Sequence, residues 1–179
     1  MACITKLANA IAYDCDSGST GLVSAIIINK ADIAGFSLDN GTMTVSGVTL
    51  AAGAKAYKID TVKRSLVLST ALKVNEGAPN AYSHSATLVY TGILDAAGRK
   101  LVTALTNGSF VIVAKTATLA APRIYGLYYG LSATAIDNNS HENGNWTTFT
   151  LETPENVIGE DSVAMAVADY DALYNAAVG

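Results

Sequence analysis

The side chains able to hold a proton, a metal or a phosphate are sparse in this chain, and one stretch sets one of its two histidines beside an Asp, a Glu and several asparagines. "AIDNNSHENGNWTTF", residues 135–149, brings together His141, Asp137, Glu142 and four asparagines. Asp137, Asn139 and His141 stand at the first, third and fifth positions of a calcium-binding loop. Such a loop then needs glycine at position six for its sharp turn and a bidentate glutamate at position twelve. Glu142 and Thr148 occupy those two places. His141-Glu142 also lacks the second histidine of a zinc HExxH pair. The spacing therefore favours a polar turn, whose Asn, Asp, Ser and Gly content suits a loop between two strands.

The other histidine, His84, lies in "YSHSA" (82–86). Alternation along a strand sends Ser83 and Ser85 to the face opposite the ring, so neither can be the nucleophile of a His-activated pair. His84 is expected at a strand end or an interface. The chain has no GxSxG elbow, no GxxxxGK[ST] phosphate loop and no GxGxxG. "GLYYG" (126–130) has its glycines at another spacing. Carboxylate pairs occur at Asp14/Asp16, Glu160/Asp161 and Asp169/Asp171. Paired carboxylates do acid–base work only in a desolvated cleft, and these are expected at surface ends. Cys3 and Cys15 form no CxxC pair and set up no disulfide framework. Taken together, these readings predict a protein that is not an enzyme and holds no cofactor.

Half of the 179 residues are hydrophobic, 15% are charged, and the formal charge is −4. That composition excludes a disordered chain and suffices for one domain, 1–179, with a sizeable core. The densest basic cluster is Lys58 to Arg64, too modest for a surface that neutralises phosphates. No apolar run reaches the roughly 20 residues of a membrane helix. The N-terminus lacks the apolar core of a signal peptide, so the four Asn-x-Ser/Thr sequons, at Asn40, Asn107, Asn138 and Asn145, read as chance. A soluble, cytoplasmically made protein is expected. A surface so poor in charge also suits one that is covered by other subunits.

Most of the chain reads as strand. "LVSAIIIN" (22–29) is a β-branched run, and "GTMTVSGV" (41–48) alternates after the Asp39-Asn40-Gly41 turn signal. In 63–75, Leu66, Leu68, Thr70, Leu72 and Val74 share one face, which predicts a strand with one buried side. Gly77 and Pro79 break the pattern, so 76–83 is a loop, and 85–93 returns to form a long hairpin over 63–93. In 94–108, Leu94, Ala97, Leu101 and Leu105 recur at 3, 4 and 4 with Val102 beside them, a helical stripe. Asp95 is its N-cap, Asn107-Gly108 its stop, and Gly98 weakens it by roughly 1 kcal/mol. Strands follow at 109–116, at 123–136, where Gly126 and Gly130 signal bulges or close backbone approach, and at 145–153. There Thr147, Phe149 and Leu151 face away from Trp146, Thr148 and Thr150. Val163, Val167, Tyr170 and Tyr174 recur at helical spacing and predict a helix over about 166–177. With 1–21 as an arm and 160–179 as a tail, the fold class is mainly β. A β-sandwich or barrel of about eight strands carries one packed helix and a C-terminal helix.

The order of these elements resembles a known family. "SATLVYTGILDAAGRKLVTALTNGSFVIVAKT" (85–116) and "YGLYYGLSATAIDNNSHENGNWTTFTLETPEN" (125–156) give strand, short helix, strand, Gly-rich strand, polar Asn-Gly loop and strand. Together with the opening "MACITKLANAIAYDC", this pattern is similar to the tail-tube (major tail) proteins of tailed bacteriophages, in particular those of phages and prophages of Bacteroides-type bacteria. Segment 116–126 departs from it, because relatives often carry a D-x-x-G turn there. The resemblance implies a virion protein, assembled in the host cytoplasm, that closes into rings, usually hexameric. Stacked rings form a tube that carries DNA without reading its sequence, next to the tape-measure and other tail proteins. Candidate contacts between subunits or rings are Glu76, Pro79, Asn80 and Tyr82 on the hairpin loop, and His141 and Glu142 on the polar loop. The competing readings are a tail terminator, a capsid decoration, or a carbohydrate-binding β-sandwich in which Trp146 and the nine tyrosines stack on sugars.

Overall fold

The computed structural model of the protein describes residues 21–59, 65–90, 96–117, 121–138 and 146–178. Cys3, Cys15, Asp95, His141 and Glu142 lie outside them, and so does the N-terminal arm but for Gly21. The fold is mainly β, with one large mixed sheet and two helices.

The spine is an antiparallel pair, β1 (Leu22–Asn29) and β7 (Ser109–Thr116). Both read as nearly unbroken apolar runs because both of their faces are covered. Phe110, Ile112 and Ala114 point into one core, and Val111 and Val113 into another on the opposite face. This two-sided burial places the β1–β7 pair between the two cores. On its far edge β1 pairs with the short β4 (Tyr57–Ile59).

On the other edge of β7 the chain runs 123 to 138 as two strands. β8 (Arg123–Tyr125) pairs with Ile112, Val113 and Ala114, and β9 (Leu131–Asn138) pairs with Ser109 and Phe110. Residues 126–130 are looped out between them, so the sheet forks here. From β8 one branch continues through β11 (Val163–Met165) and β3 (Thr44–Leu50) to β2 (Ile33–Asp39). From β9 the other continues through β10 (Thr147–Glu152) and β6 (Ala81–Tyr90) to β5 (Leu66–Lys73).

The Asp39 turn forms as its residues require: the carboxylate accepts the Gly41 N–H at 2.9 Å and the Thr42 hydroxyl at 2.8 Å. Met43 belongs to this turn, with φ +50°, and β3 starts one residue later. Helix α1 (Ala96–Asn107) ends where Gly108 donates its N–H to Ala104 O at 2.8 Å. Its packed face differs from the predicted stripe. Val102 and Leu105 lie on the first core and Gly98 is buried, whereas Leu101 faces solvent. Positions 98, 102 and 105 are as helical a set as 97, 101 and 105. The choice between them fell to the strand beneath, β9. Helix α2 (Val167–Ala176) covers the second core with Tyr170, Leu173 and Tyr174. Val163, assigned to the same helical series, is instead a strand residue of β11. The C-terminal segment 160–178 packs into the molecule: Glu160, Val163, Met165 and Tyr170 are buried, and Val178 bridges to Tyr57 of β4.

Candidate functional site

Two features stand out: a buried polar junction at the fork, and an uncovered apolar stripe at the end of one branch.

The junction begins with the glycines of "GLYYG". Gly126 and Gly130 have φ of +78° and +76°, which L-residues with a Cβ seldom adopt. A Cβ on Gly126 would stand 2.8 Å from Leu131 Cγ, and one on Gly130 would run into Ser109 Oγ. The close approach expected for these glycines is thus realised, as a turn that interrupts the strand. The looped-out backbone needs acceptors for its N–H groups. Gly130 donates within the turn to Gly126 O at 3.0 Å. Tyr128 and Tyr129 donate to the two carboxylate oxygens of Glu160, at 2.8 and 2.7 Å. Gly126 donates to His84 Nδ1 at 3.1 Å.

His84 is not at a strand end. β6 begins at Ala81, so His84 is its fourth residue and only 2% exposed, with the Tyr125 ring edge-on at 5.3 Å. Its own backbone is tied to Thr153 in both directions. Burial pushes its pKa down to about 4, so the ring is neutral at pH 7. Glu160 is not at a surface end but fully buried. Its backbone bridges to Tyr82, with N···O distances of 2.8 and 2.9 Å. Burial raises its pKa, and the two N–H groups and the Lys30 charge pull the other way. Both groups accept backbone N–H groups of the turn, which is a structural task. Asp161 next door has a buried Oδ2 with no hydrogen-bond partner among the described residues.

The stripe lies on the β5–β6 hairpin. Leu66 and Leu68 enter the first core, as the alternation predicts. The same face then runs off the core: Leu72 is 64% exposed and Val74 is 70% exposed. Tyr82, paired with Leu72 across the hairpin, is half-exposed, and Ile158 is exposed nearby. Glu76, Pro79 and Asn80 are exposed on the connecting loop. Strand pairing starts earlier on β6 than the sequence suggested, so the loop is 74–80 and Tyr82 is a strand residue. The loop is not loose. Lys73 Nζ donates to the carbonyls of Val157 (2.7 Å), Glu155 (3.0 Å) and Pro154 (3.4 Å), and Asn75 to those of Ile158 and Pro79. These bonds fasten the hairpin tip to segment 154–158. Among the described residues no strand pairs with the outer edge of β5, an eight-residue strand whose alternate residues turn their N–H and C=O groups to that side.

No group of three or more metal-ligating side chains comes together among the described residues, and none of the described helices is long and apolar enough to cross a membrane. The chain matches no protein-family model, no curated protein and no solved structure.

Proposed function

We propose that the chain is a structural subunit of a bacteriophage tail. Copies of it close into a ring, a hexamer in the family it resembles, and rings stack into a tube through which DNA passes without sequence-specific binding. Its other partners are the tape-measure and neighbouring tail proteins, and its place is the virion. The observation that supports this reading best is the open edge of β5 with the uncovered Leu72 and Val74 beside it. A long open edge with exposed apolar side chains invites pairing with another chain, and proteins that stay monomeric blunt such edges with charge, proline or bulges. A head-to-tail contact of this kind closes into a ring, and a second contact between rings extends it into a filament. An acidic chain, with a net charge of −4, suits a channel along which DNA must slide, because a basic wall would hold its phosphates.

Negative-stain microscopy and light scattering of the purified chain test the proposal. Rings or tubes are expected, and a strict monomer at high concentration and virion-like salt would overturn it. A tail terminator or capsid decoration would stop at a single ring or a monomer. Trp146, 49% exposed, carries the rival sugar-binding reading, which glycan-array binding would establish.

A further inference from the structure

We propose that His84 is an acid-operated latch on the turn at which the sheet divides: its neutral ring holds the 126–130 turn through Gly126, and its protonated ring lets that end go. His84 Nδ1 accepts the Gly126 N–H at 3.1 Å, so the neutral ring bears its proton on Nε2. A second proton must go onto Nδ1, which sets two donors against each other at the one bond between His84 and the turn. The imidazolium would also sit at a site only 2% exposed, against the Tyr125 ring.

Of the strands beside β6 at the junction, β10 places Glu152 opposite Ser85 and β5 places the uncharged Thr70 opposite His84. β8 contributes Tyr125, with Arg123 bonded to it. The turn contributes Tyr128. The segment before β11 contributes Glu160 and Asp161, and Lys30 acts on Glu160 from the 3-10 turn after β1. On β6 itself Tyr82 lies two residues away. Glu160 already gives both oxygens to Tyr128 and Tyr129.

The two holders of the turn respond to acid with opposite sign. Burial depresses the His84 pKa from 6.5 to about 4. The seated state therefore loses ground to an open, hydrated one as pH falls from 6.5 towards 4. Burial raises the Glu160 pKa, so acid favours its seated form. Acid should thus free the Gly126 end of the turn while the Tyr128 and Tyr129 end stays held. The latch stands between the branch that carries the open β5 edge and the branch β11–β3–β2, so its release acts on how the two are set relative to each other.

Amide hydrogen exchange of the whole chain, resolved by NMR and corrected for the intrinsic rate, tests this between pH 7 and 4.5. Opening at the Gly126 amide is expected to rise roughly 50-fold across this range. The Tyr128 and Tyr129 amides should change far less, and the Ile112 amide should stay protected. His84→Asn places a non-titrating oxygen where Nδ1 stands and should make Gly126 protection independent of pH. Unchanged Gly126 opening in the unaltered protein, or an equal rise at Tyr128, would overturn the latch. So would the same rise in His84→Asn. The comparison within the unaltered protein decides the matter even where the variant fails to fold.

Discussion

Replacing Glu160 tests whether the fork is held by a buried carboxylate. The side chain is fully buried and its two oxygens accept the Tyr128 and Tyr129 N–H groups at 2.8 and 2.7 Å. Glu160→Ala leaves both donors buried without a partner. Each such donor costs about 1–3 kcal/mol, and the relief of no longer burying a carboxylate returns part of that. A loss of about 3 kcal/mol follows, a large share of the roughly 5–15 kcal/mol that holds a domain together. Glu160→Gln keeps one acceptor oxygen but turns an NH2 towards the second N–H, for a loss of about 2 kcal/mol. Urea denaturation at pH 7, followed by Trp146 fluorescence and circular dichroism, reads both values as midpoint shifts at constant slope. The pH dependence has a fixed sign. The folded-state pKa of Glu160 is raised by burial above 4.5, so its contribution is complete below 4.5 and declines as pH rises through the folded value. The advantage of the unaltered protein over Glu160→Gln should be larger at pH 4.5 than at pH 7. Variants within about 0.5 kcal/mol of the unaltered protein, or a gap that widens with rising pH, would refute the view of Glu160 as the anchor of the turn.

Three other outcomes follow from the same geometry. Gly130→Ala forces a Cβ into Ser109 Oγ at a φ of +76° and should cost about 2 kcal/mol in a thermal or urea melt, more than alanine costs at an ordinary loop glycine. Phe149→Ala empties a fully buried site in the first core and should cost about 3–5 kcal/mol by the same measurement. Leu72→Lys with Val74→Lys changes two side chains that are already exposed; the melt should move by less than about 0.5 kcal/mol, while rings and tubes disappear in light scattering.

Periodicity went far in this chain wherever a residue's neighbours are near in sequence. The alternation in 63–75 names the side of β5 that reaches the core at Leu66 and Leu68, that in 145–153 separates the two sides of β10, and the Asp39-Asn40-Gly41 signal locates a real hairpin. The Asn107-Gly108 stop and a helix near 166–177 agree with α1 and α2 to within a residue or two at the ends described. These features follow from local φ/ψ preference and from which side of an element is apolar. The polar loop 139–145, with His141 and Glu142, lies outside the described residues, and the strands it was expected to join, β9 and β10, pair antiparallel.

Other properties depended on partners distant along the chain. Sequence reading puts His84 at a strand end or an interface and Glu160 at a surface end. Only the pairing of β6 with 153 and 160 brings them beneath the 126–130 turn, 42 and 31 to 32 residues from their respective partners. The helical stripe of α1 had two equivalent solutions in sequence, and the position of β9 chose between them. The apolar stripe of β5 reads the same from end to end, yet the core covers Leu66 and Leu68 and stops short of Leu72 and Val74. Sequence by itself determined which residues are apolar, where the chain turns and which sides of its strands match. Burial is a property of the whole assembly of elements. The tertiary structure alone therefore decided which apolar residues are left uncovered, and which polar ones are taken out of water to hold the backbone where the sheet divides.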